Sequence, residues 1–292
     1  MSDDDPVWSW PEERWRGTID ALRTGRSLKP RKWKGGARAV MALAVDCSFE
    51  CRVLADGGTA AADLARAAFG SRQGLPRLLR LLKAYGKTAT FFYPAVSAMI
   101  APEDVKQIAA GGHEIAVTGW IGEASGALDA ETARALIAGG RETLERLGGA
   151  RPKGFRAVGH SMTGSLAETL RDLGFSWDAS LGGDDDPTEL LASGQPLGLV
   201  EIPYDRARDD ATYFDQPLPA APEAVFDIFR REMEVAYEEG GLFTLTLHPE
   251  LIGHRSRLWI VEELLRIART LPGLRFATHG EVAQWCGARN AG

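Results

Sequence analysis

The chain has little cysteine, no long apolar run and no surplus of positive charge. Its 292 residues include three cysteines, Cys47, Cys51 and Cys286. That is too few for a disulfide framework, and the CxxC spacing of a structural zinc site is missing. No stretch approaches the roughly 20 apolar residues of a membrane helix, and the opening MSDDDPVWSWPEERW lacks the basic and apolar regions of a secretion signal. A cytoplasmic protein with reduced thiols is the expectation. Thirty-four Lys and Arg against 40 Asp and Glu leave a net charge of −6, so neither a nucleic acid nor an anionic membrane is an expected partner. Hydrophobic residues at 45% and charged residues at 25% are ordinary globular values. The length suits one or two domains, or a single α/β barrel of roughly 250 residues.

What is present falls into three parts. Residues 1–36 form an arm that carries Trp8, Trp10, Trp15 and Trp33, half of the eight tryptophans, among prolines and a basic run. So many large apolar rings are expected to dock on the chain's own barrel or on a second subunit. Residues 37–287 alternate short β-forming runs with amphipathic helical stretches, the rhythm of βαβ units around a mostly parallel sheet. Residues 288–292 are a tail. The candidate strands are 39–45, 89–93, 114–117, 154–158, 199–203, 242–247 and 275–277. Helical spacing marks 75–86, 102–112, 129–149, 164–175, 222–241 and 257–273, several of which end in glycine. The expected fold class is α/β, a barrel or most of one.

Parallel strands that feed helices expose their carboxyl ends on one rim, where chemistry is to be sought. Those positions hold Asp46, Ser48 and Glu50 after the first strand, Thr118 and Trp120 after the third, Arg156 and His160 at the fourth, and His248 after the sixth. Asp, Arg and His on one rim can supply a base, a charge that keeps it ionised, and an acid. Several other groups have plainer readings. Asp46 alone would suit a cap, Cys47 and Cys51 suit packing, and His113 precedes a strand at the opposite end. His254 and His279 suit solvent or a helix cap, and Asp184, Asp185 and Asp186 suit a solvated loop.

The ordered blocks VMALAVDCSFE, GKTATFFYP, AGGHEIAVTGW, KGFRAVGHS, GFSWDASL, DDATYF and LHPELIGHRSR resemble the polysaccharide deacetylase family, the nodulation-type carbohydrate esterases. They are most similar to its subgroup of metal-independent allantoinases, cyclic imide hydrolases and peptidoglycan-deacetylase-like proteins. The resemblance spans about residues 38–284 and implies a distorted seven-stranded (β/α) barrel. It implies that Asp46 stands where the family has its general base, Arg156 where it has its arginine, and His248 where it has its general acid. Ser48, Thr118 and Gly122 stand where the family has its three metal ligands, so no metal and no other cofactor is expected. A set rebuilt from Cys47, Glu50, Cys51 or His160 is the alternative.

Losing zinc removes a Lewis acid worth several kcal/mol, which makes a simple acetamide a hard target. A more electrophilic carbonyl, in an imide, hydantoin or strained lactam, suits Asp46 as base and His248 as acid, with backbone N–H groups and His160 near the oxyanion. The reaction expected is hydrolysis of a non-peptide C–N bond in a small cyclic amide. Ser48, Glu50, Thr118, Trp120, His160, Asp210 and Tyr213 are its candidate contacts; Trp120 and Tyr213 would wall a flat ring, and Asp210 comes from a segment that the resemblance lays over the site. The rivals are a non-hydrolytic acid-base enzyme, a zinc-type deacetylase with rearranged ligands, and a silent homologue. A homo-oligomer is expected from the resemblance and the sticky arm.

Overall fold

The computed structural model describes residues 6–287; residues 1–5 and the expected tail 288–292 lie outside the described residues. Ten strands among the described residues form one curled sheet: β1 (Leu22–Ser27), β2 (Ala39–Asp46), β3 (Thr90–Tyr93), β4 (Glu114–Val117), β5 (Gly154–Phe155), β6 (Trp177–Asp178), β7 (Thr188–Ala192), β8 (Gln195–Glu201), β9 (Leu242–Leu247) and β10 (Leu274–Phe276). The strands β9, β2, β3, β4, β5, β6 and β8 run parallel in that spatial order. They make a seven-stranded barrel that is left open between β8 and β9. There the segment after β8 fills the gap through a single parallel bridge from Asp209 to Thr246.

Seven parallel strands are thus present, but not the seven expected. The run at 275–277 becomes β10, which lies along the first three residues of β2, on the edge that β3 takes from Ala44 onward. The missing member is β6, whose two residues are too few to show a period of two. The run at 154–158 stops after two strand residues, because a tight turn with Gly159 at φ 58° follows at once. β7 and β8 form a hairpin whose two turn residues, Ser193 and Gly194, are both left-handed, as a two-residue hairpin turn requires. β1 from the arm adds to β7 antiparallel. The expected helices are all observed, at Leu75–Tyr85, Pro102–Ala110, Ala130–Gly148, Gly164–Asp172, Pro222–Glu238 and Leu258–Ala268.

Strand alternation sorts the core into two layers. On β2, Met41, Leu43 and Val45 face the helices, while Val40, Ala42 and Ala44 face the barrel axis. The small inner residues leave room for the large rings of Phe92 and Trp177. The arm partly closes the lower end: Trp33 is 2% exposed, donates its indole N–H to Gly240 O at 2.9 Å and meets Trp285 edge to face. Val7, Trp8, Trp15 and Ile19 remain exposed. Among the described residues no helix is long and apolar enough to cross a membrane.

Candidate active site

The inward series continues past the strand ends and builds the site. After Val40, Ala42 and Ala44, the next inward position on β2 is Asp46. Beyond Thr244 and Thr246 on β9 it is His248, beyond Ala116 on β4 it is Thr118, and beyond Gly154 on β5 it is Arg156. A cavity of about 330 Å³ opens at this rim, and Asp46, Ser48, Arg52, Thr118, Arg156 and His248 are part of its lining. The turn Val158 to His160, Tyr204 and Asp209 complete most of the wall.

Asp46 is held by the backbone N–H of Ser48, which donates to Oδ1 at 2.9 Å. Phe49 then takes a left-handed φ of 45° and buries its ring against Tyr93. Arg156 is buried, donates Nε–H to Ala179 O at 2.9 Å and Nη1–H to Thr246 Oγ1 at 3.3 Å, and lies 4.0 Å over the ring of Phe92. Burial lowers its pKa, while the charges of Asp46 and Asp209 act in the opposite sense. Arg156 therefore stabilises Asp46 through the field across the cavity.

His248 is gripped by Asp210. The Asp210 carboxylate receives the His248 backbone N–H at 3.0 Å and the ring Nδ1–H at 2.7 Å. Burial alone would lower the His248 pKa, but the carboxylates of Asp210, Asp209 and Asp46 push it up to about 10. Burial acts on Asp210 as well and raises it. The attraction between the partners favours an imidazolium that already carries its proton at neutral pH, with Nδ1 turned to Asp210.

His160 occupies the left-handed region at φ 56°. Its Nδ1 lies 2.9 Å from Ser180 O, and its ring stacks on Tyr204 with centroids 3.7 Å apart. The Ser180 turn is fixed by Asp178, which accepts the Ser180 N–H and hydroxyl. Burial pushes the neighbouring Glu201 well above the usual carboxylate range, and the charge of Asp178 adds to this.

The expected contacts divide. Ser48, Thr118 and His160 line the cavity with Asp46, Arg156 and His248. Asp210 does not: it is fully buried behind His248 as its partner. Tyr213 points its hydroxyl at Ala207 O and its ring at Phe229, away from the rim. Trp120 is turned onto the helix Ala130–Gly148, where a Cβ on Gly139 would touch its ring at 3.4 Å. Glu50 opens the helix Glu50–Ala55 outside the lining. The aromatic wall is instead Tyr204, whose hydroxyl donates to Asp209 at 2.8 Å. Tyr204 stands just past β8, the same strand-end placing that marks His248 after β9. Arg52, which pairs with Asp215 at the rim, carried no signal. His279, expected at solvent or at a helix cap, opens the helix His279–Gly287 but is fully buried beside Trp177. His113 is structural as expected, its Nδ1 accepting the Ala89 N–H.

The donors at the family's metal positions do not fit a zinc ion. Thr118 has given its hydroxyl proton to Arg156 O at 2.9 Å, and Gly122 has no side chain. Zinc takes thiolate, imidazole or carboxylate. The thiols nearby do not help: burial pushes Cys51 up to about 12 and Cys47 well above the thiol range, and neither lines the cavity. Asp209, Asp210 and His248 bring ligand atoms within 4.8 Å of one another. Those atoms are already committed, His248 Nδ1 to Asp210 and Asp209 to Tyr204 and the Ala211 N–H.

The profile of the polysaccharide deacetylase family matches residues 68–177. A peptidoglycan deacetylase of Helicobacter pylori is 27% identical over 257 residues, 76% of this chain and 86% of its own length. Among solved structures, a Mycobacterium smegmatis protein named as a polysaccharide deacetylase superposes with a TM-score of 0.83 at 28% identity, over 92% of this chain and 96% of that one. The Puue allantoinase superposes with a TM-score of 0.80 at 22% identity, over 91% and 98%.

Proposed function

Because this chain belongs to the polysaccharide deacetylase family and sets a carboxylate and an imidazolium on one cavity, we propose that it hydrolyses the C–N bond of a small cyclic amide, such as an imide or hydantoin, without a metal. The observation that carries the reading is His248, held from behind by Asp210 at 2.7 Å, facing the same 330 Å³ cavity as Asp46. An acid that is charged before the reaction starts suits a nitrogen leaving group, which must gain a proton as its bond breaks.

In the proposed reaction Asp46 removes a proton from water as the oxygen bonds to the ring carbonyl carbon. The negative charge that gathers on the carbonyl oxygen needs donors. The backbone N–H groups of Val158 and Gly159 have no partner among the described residues, and both residues lie in the lining. The N–H groups of Ala157 and His160 are spent on Ser180 Oγ and Ala157 O. Collapse of the intermediate breaks the C–N bond, and His248 gives its proton to the leaving nitrogen. Return of the proton from Asp46 to His248 through solvent resets the pair. His160 does not serve the oxyanion: its one N–H, at Nδ1, is used on Ser180 O.

The resemblance to a peptidoglycan deacetylase makes N-acetyl sugars the competing substrates. A turnover screen over imides, hydantoins, lactams and N-acetyl sugars separates the two. Ring opening of an imide or hydantoin is expected. Turnover confined to N-acetyl sugars in the presence of added zinc would overturn the proposal.

A further inference from the structure

We infer that His160 determines specificity, its Nε2 accepting a hydrogen bond from a ring N–H of the substrate. The inference rests on the cyclic-amide reading above and narrows it to rings whose nitrogen is unsubstituted. A carbonyl oxygen only accepts, so the 2.9 Å contact with Ser180 O places the ring hydrogen on Nδ1. A neutral imidazole with its hydrogen on Nδ1 offers a bare lone pair at Nε2. Burial, and then the nearby Arg156 charge, lower the His160 pKa and keep the ring neutral at pH 7.

The hydrogen bond to Ser180 O selects the edge that the ring offers, because a flipped ring would lose it. One face is stacked on Tyr204, Tyr204 is tied to Asp209 through its hydroxyl, and Ser180 is pinned by two hydrogen bonds to Asp178. The backbone pays for this placement with a left-handed φ of 56° in a non-glycine residue, a strain that persists where surrounding contacts enforce it. Nε2 has no partner among the described residues, and His160 lines the cavity beside Val158 and Gly159. A lone pair fixed there repels a carbonyl oxygen or carboxylate and is complementary to an N–H. A ring bound with its carbonyl toward the Val158 and Gly159 amides would bring the adjacent N–H within reach of it. An N-methyl group at that place would meet the lone pair and leave it unpaired.

The test is calorimetric binding of glutarimide and N-methylglutarimide to the Asp46→Asn protein, repeated with His160→Phe and with His160→Gln added. Turnover of both rings by the native protein is measured in parallel. The N–H ring is expected to bind roughly tenfold more tightly. His160→Phe should bring the ratio close to one, and His160→Gln, which keeps an acceptor, should restore much of it. Thermal melts establish that each variant is folded. A ratio unchanged in His160→Phe, or absent in the parent, overturns the inference. Native protein that opens both rings at equal rates contradicts it while sparing the hydrolase reading. Discrimination in binding without turnover of either ring sinks the hydrolase reading and leaves His160 as the reader of a ring N–H in a bound ligand only. If neither ring binds, both fall.

Discussion

In the proposed reaction three side chains divide the chemistry, and their roles can be separated by substitution. Asp46→Asn and His248→Ala each remove one proposed proton carrier and are expected to lower kcat by roughly 100-fold or more, with the fold retained. Asp210 acts through His248, so its signature is a pH profile. With the pair intact, the alkaline limb of kcat/KM should fall near the His248 pKa of about 10. In Asp210→Asn the largest raising charge is gone and burial dominates, so the limb should move toward or below neutrality. A profile that keeps its alkaline limb in Asp210→Asn would contradict the assignment. These residues were legible because barrel geometry turns alternate residues inward and ends each strand on the rim. Asp210 was visible only as part of a motif: nothing local in DDATYF tells that its side chain lies buried under a histidine 38 positions away.

At the level of elements, the site depends on close packing behind the His248 turn. A Cβ on Gly74 would lie 1.9 Å from Pro249 O, so the backbone leading into the helix Leu75–Tyr85 presses directly on the residue after His248. Gly74→Ala must push Pro249 away. A stability loss of about 1–3 kcal/mol is expected, read as a lower Tm, together with reduced turnover because His248 moves. Unchanged Tm and rate would show that this contact does not position the acid. Helices were the most legible elements, since Leu78 and Leu82, among others, mark a buried face at helical spacing. Short strands were the least legible. Trp177 and Asp178 form β6 because their neighbours in the barrel provide partners, and two residues carry no period. The same brevity hid the Asp178, Ser180 and Glu201 cluster that shapes the wall behind His160.

Across the whole molecule, buried acids behind the cavity set how stability varies with pH. Glu250 sits two residues after His248, with Oε2 buried and unpartnered among the described residues. Burial, and then the charges of Asp46 and Asp210, raise its pKa to about 7, against the attraction of His248. A carboxyl raised on folding contributes its stability below its unfolded pKa and loses it as pH rises through the folded value. The native protein should therefore lose stability between about pH 4.5 and 7 from this group. Part of the residue touches solvent, which holds the effect to about 1–2 kcal/mol. Glu250→Gln should flatten that part of the curve in melts taken across the range, and an unchanged slope would show that Glu250 titrates normally. Barrel and rim were thus readable from order and alternation, and so was the placing of Asp46 and His248 on one cavity. The contacts that turn Tyr204 and Asp210 toward the site belong to the segment bridging the open barrel seam, where local sequence carries no periodic signal.

Asp46 and His248 are proposed to hydrolyse their substrate by acid-base chemistry with no metal between them. The most direct test is ring opening of an imide or hydantoin by protein dialysed against a strong chelator, with metal content measured on the same sample and Asp46→Asn alongside. The expected result is full turnover by the metal-free native protein and loss of it in the variant. Turnover that vanishes on chelation and returns with zinc would contradict the account.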